Sequence, residues 1–167
     1  MNLDLVLITG ILLAMTPISE IRGSIPLYYL YYGGNPTTMI IAVTISTIAN
    51  ACVPFIAYPM LDFIDKIAHH PKTPKFIAQL YLKVLRYGRE KARRFSGSKR
   101  IYLALSLFVG IPLPGTGAWT GTLVAYVLGL DRRKSIVAIV AGVLVAAVLV
   151  SVTVYLGVSV LKKIFML

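Results

Sequence analysis

Glu20 and Arg22 stand two positions apart inside an otherwise apolar stretch, Leu3 to Tyr32, in which Asp4 is the only other charged residue. Placing either at the centre of a membrane helix costs about 2.5 to 3.5 kcal/mol on insertion scales, so two in one short segment call for a role. A guanidinium grips a phosphate or carboxylate through two parallel hydrogen bonds, and a carboxylate in apolar surroundings can gain and lose a proton with each transport cycle. Arg22 is therefore the candidate anchor for an anionic headgroup, and Glu20 the candidate proton-coupling residue. Pro17, Gly23 and Pro26 disfavour a continuous helix around the pair. Residues two apart share one side of an extended segment, so both heads are expected to face one cavity. The plainer alternative is that they pair with each other and brace the segment.

A second apolar stretch, Ile101 to Leu130, is interrupted by Gly110-Ile111-Pro112-Leu113-Pro114-Gly115-Thr116-Gly117 and carries no charge. Gly115, Thr116, Gly117, Ala118 and Trp119 then open the returning arm. Amides at such a helix start lack intrahelical partners and sit at the positive dipole end, which makes them an anion cradle. Glycine lets a headgroup approach the backbone, and Thr116 and Thr120 add hydroxyl donors. The candidate substrate-binding set is thus Arg22, Gly115, Thr116, Gly117, Ala118 and Thr120. Alternatively, Gly115, Gly117 and Gly121 serve close packing between helices. Trp119 reads as a packing residue, Asn50 as a polar contact to a neighbouring break, and Tyr28, Tyr29, Tyr31 and Tyr32 as an aromatic belt.

Both interrupted stretches are 30 residues long. As one helix each would reach about 45 Å, more than a bilayer core needs, while an arm on either side of the break reaches only about 20 Å. Each is expected to be a re-entrant hairpin, over residues 3–32 and 101–130. Thr37 to Leu61 and Ser135 to Leu161 are uninterrupted by charge and long enough to span. Pro54 and Pro59 are expected to kink the first span near its end.

Charge sets the orientation. Eleven of the seventeen Lys and Arg lie between Lys66 and Arg100, and cytoplasmic loops carry such excess. Segment 62–100 is therefore expected in the cytoplasm, with a basic amphipathic helix in which Phe76, Ile77, Leu80, Tyr81, Val84 and Leu85 recur at helical spacing. Basic clusters on both flanks of 101–130 keep that hairpin's two ends on one side, and Gly33 to Pro36 falls outside. The expected fold is a single all-α membrane domain over residues 1–167: an inverted repeat of hairpin plus spanning helix, as in many transporters. Lys162 and Lys163 would then lie outside, against the charge tendency.

Composition agrees. The chain of 167 residues is 57% hydrophobic and 14% charged, with mean hydropathy +0.81; soluble domains carry about 25% charge. The net charge of +11 concentrates in one segment, which reads as membrane topology and not as a nucleic-acid surface. Cys52 has no disulfide partner, His69 and His70 have no third ligand nearby, and no nucleophile and base converge. Metal, cofactor and enzymatic activity are not expected. The N-terminal run lacks a basic leader and a cleavage pattern, so it is expected to be retained.

Ser19-Glu20-Ile21-Arg22-Gly23-Ser24-Ile25-Pro26, together with Pro112-Leu113-Pro114-Gly115-Thr116-Gly117-Ala118-Trp119-Thr120-Gly121, resembles the small multidrug export protein family, itself similar to a branch of the DedA membrane protein superfamily. The resemblance implies two facing re-entrant hairpins and proton-driven flipping of a lipid-linked phosphate such as undecaprenyl phosphate. Related proteins of the wider group bring arginines in the second hairpin; none lies between Ile101 and Leu130, so Arg22 takes the headgroup role. The function expected is transport of an anionic amphiphile, most simply a polyprenyl phosphate carrier, coupled to H+ with Na+ as the alternative. Two others stand beside it: an exporter of cationic drugs with Glu20 as counter-charge, and a non-transporting membrane scaffold recruiting partners through the basic helix. A homodimer would help so small a chain enclose a polar cavity.

Overall fold

The computed structural model describes residues 3–70, 74–93, 98–113 and 115–165, and these form helices with no strand among them. Pro114 of the second break and residues 1–2, 71–73, 94–97 and 166–167 lie outside the described residues. Helix α1 (Leu3–Met15) stops where Thr16 precedes Pro17, since a residue before proline is pushed out of the helical region. The Thr16 hydroxyl takes the carbonyl of Leu13 at 2.8 Å. Helix α2 (Glu20–Tyr32) then returns along α1 and carries Pro26 within it.

This corrects the extended segment expected around Glu20 and Arg22. The break spans only Thr16 to Ser19, and Arg22 already belongs to a helix. The two side chains still converge because Glu20, the first residue of α2, has φ 51°, in the left-handed region. Such a turn costs an L-residue roughly 1–2 kcal/mol and redirects its side chain relative to the helix that follows.

Asn35 caps α3 (Pro36–Ala51) by accepting the Thr38 amide, and Pro36 stands in its first turn. Only Cys52 separates α3 from α4 (Val53–Ala68). Pro54 has no N–H, so the irregularity precedes it, whereas Pro59 is accommodated inside α4. The combined rod Pro36–Ala68 holds an 18-residue window of mean hydropathy 2.0 and runs past the expected Leu61. Its polar last turns continue the helix because Asp62 meets Arg132 and Asp65 meets Tyr81.

After α5 (Lys75–Arg93), α6 (Lys99–Gly110) starts at a Ser98 cap and α7 (Ala118–Val127) folds back against it. Gly129, at φ 64°, closes α7: its amide reaches Tyr126 O and the Leu130 amide reaches Ala125 O, a paired C-terminal cap that turns the chain into α8. Helix α8 (Arg132–Phe165) contains the second apolar segment able to cross a membrane, Arg132–Val158, with an 18-residue window of mean hydropathy 2.9.

Helices α1, α2 and α3 pack together, as do α6, α7 and α8, and the two groups join through α2 on α8 and α7 on α4. The core holds Ile21, Ile25, Val53, Val109, Ala118, Ile139 and Val143. Small residues allow close approach: Tyr28 lies against Gly10, Val109 against Gly121 and Gly142. Tyr28 and Tyr32, one helical turn apart, are therefore core and not belt, and the Tyr28 hydroxyl reaches Ser46 Oγ at 2.6 Å and donates to Leu7 O. Only Tyr31 of the cluster is largely exposed. Leu12, Leu30, Ile40, Ile48, Leu103, Val137 and Val148 all face outward. So continuous an apolar exterior suits lipid, not water.

Candidate functional site

The two breaks meet. Glu20, only 3% exposed, turns its carboxylate onto the start of α7, where Oε1 accepts the Trp119 amide at 3.3 Å and the Ala118 amide is also directed at the group. It lies directly against Gly117, at a place a side chain on residue 117 would occupy. One amide of the expected headgroup cradle, Ala118, together with its neighbour Trp119, is thus holding the chain's own carboxylate.

Arg22 lies beside it. Its Nη2 donates to Thr116 Oγ1 at 3.0 Å and to Ile111 O at 3.2 Å, while Nε is buried without a partner among the described residues. The Thr116 hydroxyl itself turns to Ile111 O at 2.7 Å and Leu113 O at 2.8 Å. Glu20 and Arg22 approach each other only to 3.9 Å.

The backbone groups freed by the first break are satisfied from elsewhere. Trp119 Nε1 donates to Met15 O at 2.9 Å, and Asn50 Nδ2 donates to Ala14 O at 2.6 Å. These are terminal carbonyls of α1, which no helical amide can reach. In an apolar setting each unpaired carbonyl would be costly. Asn50 therefore contacts the first break, and Trp119, read from sequence as packing, ties the two breaks together by both its indole and its amide.

Of the candidate residues, Glu20, Arg22, Thr116, Gly117 and Ala118 are brought together. Gly115 turns the chain at φ 79°, and among the described residues nothing outside its chain neighbours lies within 4 Å of where its side chain would stand. Thr120 faces away, lining a cavity of 240 Å³ with Pro17, Ala57, Met60 and Trp119. The residues not singled out for this cluster are the carbonyl of Ile111 and the amide of Trp119. Main-chain partners leave no mark in residue type; the only available signal was the uncapped start of α7.

An all-helical chain with two apolar helices able to cross a bilayer, an apolar exterior and a charged pair enclosed where two broken helices meet is a membrane protein with a polar centre. Residues 20–149 match the family described as "Putative small multi-drug export protein", and the chain belongs to that family. The matched span begins at Glu20, directly after the first break, and contains Arg22 and the whole of the second break. No curated protein and no solved structure matches the chain.

Proposed function

We propose that the protein carries an anionic amphiphile across the membrane, a polyprenyl phosphate in the first instance, through the centre formed by Glu20, Arg22 and the start of α7. The observation that carries this reading is the seat of Glu20: an internal anion on the amides of Ala118 and Trp119, with a guanidinium alongside whose Nε has no partner among the described residues. A centre that holds a carboxylate by backbone amides and an arginine is chemically suited to a phosphate. Glu20 acts as the resident anion, released on protonation and restored when the cargo departs. Proton uptake is thereby coupled to binding, and no covalent step is required.

In the same reading the helix pairs α1/α2 and α6/α7 are re-entrant hairpins entered from opposite faces, each followed by one span. Support comes from the ends: Asn50, midway along α3 and α4, meets the first break, and Asp62 near the far end of α4 meets Arg132 at the start of α8. Tyr155, in the last third of α8, meets Tyr29, near the end of the first pair, edge to face. The basic segment 62–100 is then cytoplasmic and the protein multi-pass, in keeping with a DedA-like architecture.

The test is binding and flipping of polyprenyl phosphate in vesicles containing the purified protein. Arg22→Ala should abolish binding, and Glu20→Gln should leave binding while removing the dependence of transport on a pH gradient. Retained binding by Arg22→Ala would sink the assignment. Export of a small cationic compound is the second reading, favoured by the family's description. It requires drug resistance that is lost in Glu20→Gln and kept in Arg22→Ala.

A further inference from the structure

Helices α6 and α8 run side by side in the same direction, since Gly142 of α8 lies on Ser106 and Val109 of α6, and Gly110 lies on Val145. Each presents the same kind of stripe toward their shared outer groove. On α6 the sequence is Lys99, Leu103, Ser106; on α8 it is Lys134, Val137, Ala141. These spacings keep each stripe on one helix face. The groove has a volume of 660 Å³ and Arg133 joins the two lysines at its mouth.

Mouth and floor differ in chemistry. Among the described residues no carboxylate lies within ion-pair distance of Lys99, Arg133 or Lys134. Asp131, the nearest acid in sequence, accepts the Lys134 amide at 2.9 Å and so caps α8. The floor is apolar and open, with Leu103 62% and Val137 69% exposed. The uncharged run of α8 begins at Ser135, immediately after the last of these cations. That places three positive charges where a membrane helix passes from headgroup to hydrocarbon level, with about 10 Å of apolar groove below them.

We propose that this groove is a site for one anionic glycerophospholipid of the surrounding leaflet, its phosphate held by Lys99, Arg133 and Lys134 and one acyl chain lying along Leu103, Val137 and Ala141. Basic pockets between membrane helices recognise anionic headgroups in this way. The site is separate from the centre at Glu20, which lies at the opposite end of α6, and it does not depend on what that centre transports.

The full-length protein, exchanged into micelles containing equal phosphatidylglycerol and phosphatidylcholine, should retain one phosphatidylglycerol in native mass spectrometry. Neutralising Lys99, Arg133 and Lys134 together should weaken retention by on the order of a hundred-fold, from about five-fold per cation. Ala141→Trp, which fills the floor and leaves all charge in place, should also release the lipid. Neutralising Lys83, Arg86 and Arg89 on α5, equal in charge but outside the groove, should leave retention unchanged. Equal loss from both triple substitutions, retention by Ala141→Trp, or preference for an added polyprenyl phosphate over phosphatidylglycerol would each overturn the proposal.

Discussion

The charged groups of Glu20 and Arg22 lie 3.9 Å apart, Oε2 to Nη1, farther than either lies from its partner in the second break. Glu20 reaches the Trp119 amide at 3.3 Å, and Arg22 reaches Thr116 at 3.0 Å. The pair therefore does more than neutralise itself: it fastens one broken helix pair to the other. Thr116→Val should accordingly cost about 1.5–3 kcal/mol, the range for a hydrogen bond to a charged group. The cost should shrink sharply when Arg22 is already alanine, and thermal unfolding in detergent of the two singles and the double variant measures the difference.

The seat of Glu20 can be tested from the other side. A methyl group on residue 117 would occupy the place of the carboxylate. Gly117→Ala should destabilise by about 1–3 kcal/mol through overpacking. Replacing Glu20 by alanine in the same chain empties that place, so the added cost of Gly117→Ala should largely vanish. An undiminished penalty in the double variant would put the carboxylate elsewhere.

Backbone strain at Glu20 makes a prediction of opposite sign to helix propensity. Within a helix, glycine is less favourable than alanine by about 1 kcal/mol. At φ 51° an alanine instead carries the left-handed penalty of roughly 1–2 kcal/mol that glycine escapes. Glu20→Gly should thus melt at a higher temperature than Glu20→Ala. The reverse order would mean that residue 20 holds ordinary helical geometry.

Much of this centre was legible in the sequence. Charge inside apolar sequence marked Glu20 and Arg22, and proline with glycine marked both breaks, because lipid penalises each of these features in a way that residue types reveal. What sequence did not reveal was backbone detail. Pro26 suggested an interrupted segment, yet α2 runs through it from Glu20 onward. A single left-handed residue, Glu20 itself, supplies the convergence that an extended segment was expected to give. Tyr28 and Tyr32 looked like belt residues by type, but their fourfold spacing faces Gly10 and the core. Thr120 was grouped with Thr116 by chemistry, although Thr116 lies in the break while Thr120, the third residue of α7, lines a cavity with Ala57 and Met60. The apolar arc of α5 likewise divides: Leu85 and Ala92 are buried against the bundle, while Phe76, Leu80 and Val84 remain exposed.

The docking of α5 carries a pH dependence. Tyr81 donates to Asp65 Oδ1 at 3.0 Å, and burial together with that carboxylate pushes the Tyr81 hydroxyl well above the ordinary tyrosine range. The folded state favours the protonated form. This contact's contribution is therefore complete below about pH 10, the value in the unfolded chain, and is lost as pH rises toward the folded value. Hydrogen exchange of the α5 amides should accelerate above pH 10 beyond the intrinsic rate, and Tyr81→Phe should show faster exchange already at neutral pH with no such added step.

Orientation is open to a direct chemical test. Asn35 caps α3 and Arg133 stands in the first turn of α8, both exposed. If the helix pairs α1/α2 and α6/α7 enter from opposite faces, these positions lie on opposite sides of the membrane. With Cys52 replaced by serine, a cysteine at Asn35 should react with an impermeant maleimide added outside intact cells, and one at Arg133 only after the membrane is opened. Ser135 would be a poor probe, since it is buried facing the Tyr58 hydroxyl. Labelling of both positions from the same side would leave the broken helices as kinked spans. The meeting of Glu20 with the start of α7 would then need a different membrane geometry to explain it.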